Sequence, residues 1–361
     1  MVAANIGRAL NSLPKSSSQT FQVGESGTSL RFLLPLLPLH TQAAIVKGQG
    51  TLVGRPNHHL CEALRRQGID IRGQGKSESV PIVYKSGALQ PGSIRIDGSL
   101  SSQFISALLI ALPRLNQDSR ITITGKTLVS SDYIVMTRQI LAKAGIKITG
   151  RGARTILVKG NQRFKGLKNF QVPSDYGLAA FPMAAAALLP SRVQLNGYFT
   201  DDFIQADGHI LPFLRRMGVR FEKKGKAITM QGPFQLKGGT FSLKDCPDLV
   251  PIMAVLALFA KGRTRLTDVH HARAKESDRL GDLRKELLKV GARITENPDG
   301  LTIEPQPLYK PNQTLDPHHD HRLAMAFTVL GLKIGCKVKD IQCTAKSYPA
   351  FVKHMKILGM A

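Results

Sequence analysis

The feature that most constrains this chain is an internal repeat of about 73 residues, because a period of that length means one supersecondary unit used several times. Five times a Ser, Thr or Asp beside small residues or proline opens a long apolar run: Gly27-Thr28, Ser101-Ser102, Ser174-Asp175, Pro247-Asp248 and Asp320-His321. From Thr28 to Ser102, Asp175, Asp248 and Asp320 the steps are 74, 73, 73 and 72 residues. Each opener reads as a helix N-cap, an acceptor side chain just ahead of an apolar stretch such as Phe104 to Leu112. A second series runs in step. Gly68, Gly145, Gly218, Gly291 and Gly359 each close a helical pattern, and the first four lead into alternating apolar residues such as Ile69-Asp70-Ile71. That is a helix ended by a C′ glycine and followed by a strand. Ala3 to Leu13, ending at Pro14, reads as a sixth helix of this second kind. Six units are therefore expected, the first lacking its first helix and leading strand. They divide into two domains of three, residues 1–170 and 171–361, with the boundary near Gly166 to Gln171.

Composition agrees with two globular domains. At ~150 residues per domain, 361 residues make about two. With 42% apolar and 21% charged residues, the chain is neither disordered nor low-complexity. The longest apolar stretches, Ala179 to Leu189 and Leu249 to Ala260, are 11 and 12 residues, short of the ~18–20 a bilayer span needs. Fifty Lys and Arg against 25 Asp and Glu give a net charge of +25, so an anionic partner is expected. Nucleic acid is not expected: aromatics are 6%, Trp is absent, and the basic residues are spread along the chain. The four cysteines contain no CxxC pair and suit a reducing compartment, hence a cytoplasmic protein. The first 24 residues lack acids and superficially resemble a transit peptide, but the repeat already gives this segment a structural place.

Helix starts carrying short polar residues are either plain caps or anion sites, since free N–H groups and the helix dipole both favour negative charge. Neighbours point to anions: Arg31 follows Thr28, Gln103 follows the serine pair, and Arg322 follows Asp320-His321. The densest cluster is Lys275-Glu276-Ser277-Asp278-Arg279, which is either a solvated helix start or a cation, a carboxylate and an arginine fork set for proton transfer. His58-His59, His270-His271 and His318-His319 with His321 match no metal-ligand spacing, so no metal is expected. No GxxxxGK[ST], GxSxG or strand-led GxGxxG occurs.

The ordered motifs name a family. Gly24-Glu25-Ser26-Gly27-Thr28-Ser29-Leu30-Arg31-Phe32, Gly54-Arg55-Pro56, Gly98-Ser99-Leu100-Ser101-Ser102-Gln103-Phe104, Pro247-Asp248, Lys275 to Leu280, Asp320 to Met325 and Cys343 to Pro349 occur in one order along the chain. In this the chain resembles the 3-phosphoshikimate 1-carboxyvinyltransferases, or EPSP synthases. The resemblance implies an α/β fold, the two-domain inside-out α/β barrel of the enolpyruvyl transferases. It has six βαβαββ units, here with the first incomplete, and helix N-termini facing an interdomain cleft. It also implies transfer of the enolpyruvyl group of phosphoenolpyruvate to the 5-hydroxyl of shikimate 3-phosphate, with release of phosphate, in aromatic amino-acid biosynthesis. By motif, Ser101, Ser102 and Ser130 hold the shikimate phosphate, with Gln103 and Tyr133 lining that pocket and Asp248 and Lys275 reaching the same substrate. Asp248 accepts the hydroxyl proton, and Lys275 and Glu276 serve the reacting groups and the methylene proton. Arg279 and Arg322 clamp the phosphoenolpyruvate carboxylate. Arg55 and Lys346 take its phosphate, and Gly27 and Gln103 border it. No cofactor and no metal are implied, and a monomer binding two small anions is the expectation.

Two departures qualify the match. The family's opening Gly-Ser-Lys-Ser-x-Ser-x-Arg segment is absent, so this chain is expected to turn over poorly: losing one preorganised donor commonly costs ~10²–10³ in rate. Ser130-Ser131-Asp132-Tyr133-Ile134-Val135 also replaces the family's Ser-[Lys/Arg]-Pro-Tyr-[Ile/Val]-Asp. The sister transferase acting on UDP-N-acetylglucosamine usually carries a cysteine just ahead of the Arg-Pro motif, and Val46 to Gly54 contain none. From another class, a remnant that only binds shikimate 3-phosphate or a protein partner is the alternative.

Overall fold

A computed structural model describes residues 18–151, 153–167 and 169–359, so the helix expected over Ala3 to Leu13 lies outside the described residues. The chain falls into two units, meeting between Asn169 and Phe170.

In the first unit, β1 (Ser18–Gln22), α1 (Gly27–Leu33) and β2 (Ala43–Lys47) form a crossover. β1 and β2 are parallel, with Ser18 opposite Ala43 and Gln22 opposite Lys47. Parallel neighbours need such a crossover, whereas antiparallel ones need only a turn. Helix α2 (His58–Arg65) then leads to the hairpin β3 (Asp70–Gln74) and β4 (Ser79–Ser86), giving the order β1-β2-β4-β3. The pattern recurs with β5 (Gly92–Asp97), α3 (Gln103–Ala111), β6 (Ser119–Thr124), α4 (Ser131–Lys143), β7 (Ile148–Arg151) and β8 (Thr155–Val158), in the order β5-β6-β8-β7. These strands bury alternate residues, as when β5 buries Ile94 and Ile96 and exposes Arg95. One sheet face therefore meets solvent while the other covers α1 and α3, which pack on each other.

The second unit opens with α5 (Tyr176–Leu188), β9 (Ser191–Asn196), α6 (Ile210–Arg216), β10 (Phe221–Lys224) and β11 (Ala227–Gly232), in a sheet of order β10-β11-β9. With only the first unit expected to be incomplete, this one should open with a strand, but among the described residues ahead of α5 none lies in one: Val172 is exposed, Pro173 has no N–H to offer, and Ser174 N–H bonds Tyr198 O at 2.9 Å. Next come β12 (Leu236–Lys237), β13 (Thr240–Ser242), α7 (Val250–Leu258), β14 (Ala260–Lys261), β15 (Thr264–Thr267), α8 (Arg279–Lys289), β16 (Arg293–Asn297) and β17 (Gly300–Glu304). β12 pairs with β14 in parallel, and the larger sheet has the order β13-β15-β17-β16. Last are β18 (Thr314–Leu315), α9 (His321–Ile334), β19 (Lys337–Val338) and α10 (Phe351–Ile357). Helices α5, α7 and α9 pack against one another, and every residue of α7 is buried. A helix apolar on all sides has no solvent face and belongs at a centre, with amphipathic α8 and the sheets outside it. Among the described residues no helix is long and apolar enough to cross a membrane.

Candidate active site

The helix starts separate into caps and non-caps. In the second unit Asp175 caps α5 through Leu178 N–H (3.1 Å), and Asp320 caps α9 through Arg322 N–H (2.8 Å). Asp248 differs. It lies in a short 3₁₀ turn, Pro247–Leu249, and its carboxylate leaves the helix for arginine: Arg279 Nη1 reaches Oδ1 at 2.6 Å and Arg322 Nη2 reaches Oδ2 at 2.9 Å. Lys275 Nζ stands 3.9 Å from Oδ1. Burial pushes the Asp248 carboxyl up, but Arg322, Arg279 and Lys275 outweigh it and hold it well below the usual carboxylate range.

Arg279, the first residue of α8, is 1% exposed and spends its fork on three acids. Nε donates to Asp320 Oδ2 (2.8 Å), Nη1 to Asp248, and Nη2 to Glu276 Oε2 (2.8 Å). Burial disfavours its charge, but Asp320, Asp248 and Glu276 keep it protonated far above the usual range. Arg322 Nη2 also stands 3.8 Å from Asp207, whose burial pushes its carboxyl up to about 7 against the pull of Arg322. Sequence reasoning missed Asp207, which sits in a Gln-Ala-Asp-Gly stretch with no periodicity of its own. Lys346 lies apart from this knot, donating to His319 O at 3.1 Å, one residue before the Asp320 cap. His271 is buried beside the cluster, and burial drops its pKa to about 3, so it stays neutral.

In the first unit Ser26, not Thr28, caps α1, accepting from Ser29 N–H at 3.1 Å, and Thr28 falls in the first turn. Ser102 makes no capping bond from its side chain, whereas Ser101 Oγ accepts from Gln103 N–H at 3.3 Å. Gln103 links the two helix starts: Nε2 donates to Thr28 Oγ1 (2.9 Å), and Oε1 accepts from Arg31 Nη1 (2.7 Å). Buried Arg31 completes its fork on Asn57 Oδ1 and Pro56 O, both at 3.1 Å, and stacks over Phe104. An arginine inside the apolar run Leu30-Arg31-Phe32-Leu33-Leu34 was the sequence signal for this network. Gly27 matters by what it lacks, since a Cβ there would stand 3.0–3.2 Å from the Arg55 guanidinium. Ser130 is buried with φ +54°, directly ahead of the helix that carries Tyr133.

The family model described as EPSP synthase (3-phosphoshikimate 1-carboxyvinyltransferase) matches residues 2–355. The chain belongs to the EPSP synthase family. The 3-phosphoshikimate 1-carboxyvinyltransferase of Methanococcus aeolicus is 35% identical over 97% of this chain and 81% of its own length. That of Methanocaldococcus jannaschii is 37% identical over 96% and 80%. Among solved structures, an EPSP synthase from Acinetobacter baumannii superposes with a TM-score of 0.74 at 26% identity, covering 95% of this chain and 79% of the other. The enolpyruvyl transferase NikO of Streptomyces tendae, at 19% identity and a TM-score of 0.72 over 92% and 76%, shares the fold. The fold is thus the two-domain α/β fold of the EPSP synthases. Within it, the family motifs of the second unit converge on Asp248, with Lys346 beside the Asp320 cap. Those of the first unit form two groups, Gly27 with Arg55 and Gln103 with Thr28 and Arg31.

Proposed function

We propose that this chain transfers the enolpyruvyl group of phosphoenolpyruvate to the 5-hydroxyl of shikimate 3-phosphate, with Asp248 at the reacting centre. The reading rests on one observation beyond family membership: Asp248 is a partly buried carboxylate committed to two guanidinium groups and a lysine rather than to its helix. Addition forms the bond between the 5-oxygen and C2 of phosphoenolpyruvate while the hydroxyl proton passes to Asp248 and a proton reaches the methylene carbon. Elimination takes a proton from the resulting methyl group, breaks the C2–phosphate oxygen bond and releases phosphate. Lys275 and Glu276 are the groups we assign to the carbon proton. Arg322 and Arg279 are assigned to the phosphoenolpyruvate carboxylate. An incoming carboxylate on these guanidiniums weakens their hold on Asp248, so the base strengthens when a proton must be accepted. Arg55 and Lys346 are assigned to the phosphate of phosphoenolpyruvate, bordered by Gly27 and Gln103. Ser101, Ser102, Ser130, Gln103 and Tyr133 are assigned to shikimate 3-phosphate, since hydroxyl groups beside the N–H groups of a helix start suit a phosphate. A net charge of +25 favours both polyanions.

Phosphate release requiring both substrates is the test. We expect Asp248→Asn to lower kcat roughly 10²–10⁴-fold, the usual contribution of a positioned proton-transfer group, with KM little changed. Phosphate release that needs only one substrate would overturn the reading.

A further inference from the structure

The loop Asp316 to Asp320 carries the α9 cap and the carbonyl that receives Lys346, yet its backbone is unfavourable. His318 and His319 have φ of +51° and +59°, a sparsely populated region for non-glycine residues that persists only where surroundings impose it. What imposes it lies on α8. Glu286 is fully buried there, and its Oε2 accepts the Asp316 N–H at 2.8 Å. Its other oxygen, Oε1, faces His318 Nε2 at 3.4 Å, and Asp282, one turn earlier on α8, stands 3.7 Å from the same nitrogen. Glu286 Oε1 and His318 Nε2 are both buried, and neither has a hydrogen-bond partner among the described residues. A bare imidazole lone pair aimed at two carboxylates is repulsive, whereas one proton among them makes the contact attractive.

We propose that His318 is a positioning residue of the enolpyruvyl transfer site. One proton shared by its Nε2 with Asp282 and Glu286 ties the Asp316–Asp320 loop to α8, and so holds the Asp320 cap, Arg322 and the Lys346 anchor in register with Arg279. The proposal rests on the assignment of Arg322 and Lys346 to phosphoenolpyruvate. Around the imidazole, α8 contributes Asp282 and Glu286, with Lys289 paired to Glu286 and with Asp278 and Lys285 acting on Asp282. The loop contributes Asp316, which accepts His318 N–H at 2.9 Å, and Lys339 approaches Asp316 at 3.4 Å. Burial pushes the Asp282 carboxyl up, which gives the proton a second residence at the same contact.

The test compares the parent protein with His318→Gln, whose amide is a permanent donor, and His318→Leu, which has none. Without substrate, we expect hydrogen-exchange protection of the Asp316 and Asp320 amides to be kept in the Gln variant at the parent's level and to be lost in the Leu variant. We expect KM for phosphoenolpyruvate to rise about tenfold in His318→Leu, the low end for a lost charged hydrogen bond, with kcat within about twofold and with the Gln variant restored. Protection lost in the Gln variant, which keeps a donor, overturns the proposal even if the Leu variant does not fold. So does an unmoved KM in a folded Leu variant with lost protection. Lys346→Ala with an unchanged KM would instead overturn the assignment of Lys346.

Discussion

At the residue scale, two side chains make opposite demands on pH. Asp207 carries a pKa raised to about 7 by burial, against ~3.9 when unfolded, so between these values the folded protein holds a proton that the unfolded chain has released. Its contribution to stability is lost as pH rises through that window. His271 carries a pKa lowered to about 3 by burial, against ~6.5 unfolded, so the unfolded chain binds the extra proton and stability is lost as pH falls. Between about pH 4 and 6.5 the two slopes oppose each other. Asp207→Asn removes one, and its urea midpoint should rise with pH over that range more steeply than the parent's; parallel curves would mean that Asp207 is ionised throughout. Gly27 supplies a second case. Its substitution by Ala places a methyl group 3.0–3.2 Å from the Arg55 guanidinium, the far end of a flexible side chain, so the arginine moves rather than the fold. KM for phosphoenolpyruvate should rise about tenfold, while thermal stability holds or improves, because Ala is the better helix former. Unchanged KM would take Arg55 out of the site.

At the scale of elements, the caps decide which helix starts are structural and which are committed elsewhere. Asp175→Ala removes the acceptor for Leu178 N–H and should cost about 1 kcal/mol, a fall of about 2–4 °C in melting temperature for a unit of this size. It also removes a neighbouring negative charge that raises the Asp207 pKa, so Asp207 should then titrate at lower pH. A melting temperature within 1 °C of the parent would count against Asp175 as a cap. The sequence was most legible where one local requirement recurs: Gly68, Gly145, Gly218, Gly291 and Gly359 all adopt φ between +82° and +104°, as C′ positions demand. It was less legible where similar residues serve different ends. Asp175, Asp248 and Asp320 look alike as openers, but only tertiary contact with Arg279 and Arg322 turns Asp248 from a cap into a paired carboxylate. Asp207 and Glu286 left no local pattern, because their surroundings come from residues distant in sequence.

At the scale of the whole molecule, the two units are separate cores on one chain. One buried apolar cluster draws all its residues from Phe21 to Val158, and the other draws all of its own from Tyr176 to Met355. Among the described residues between 159 and 175 none lies in a helix or strand, and Arg163 and Lys165 are exposed. A protease needs an extended, accessible segment that can leave its local contacts, and such segments concentrate where few buried groups hold the backbone. The backbone here is held by scattered bonds, such as Lys165 N–H to Ala144 O at 2.8 Å and Gln162 N–H to Pro113 O at 2.8 Å. Limited trypsin digestion should therefore cut first after Arg163 or Lys165 and accumulate two fragments of similar size. Because each fragment keeps a core whose contacts lie within it, both should resist further digestion and retain far-ultraviolet circular dichroism. First cleavage inside α3 or α7, or rapid loss of both fragments once the junction is cut, would show that neither core holds without the other.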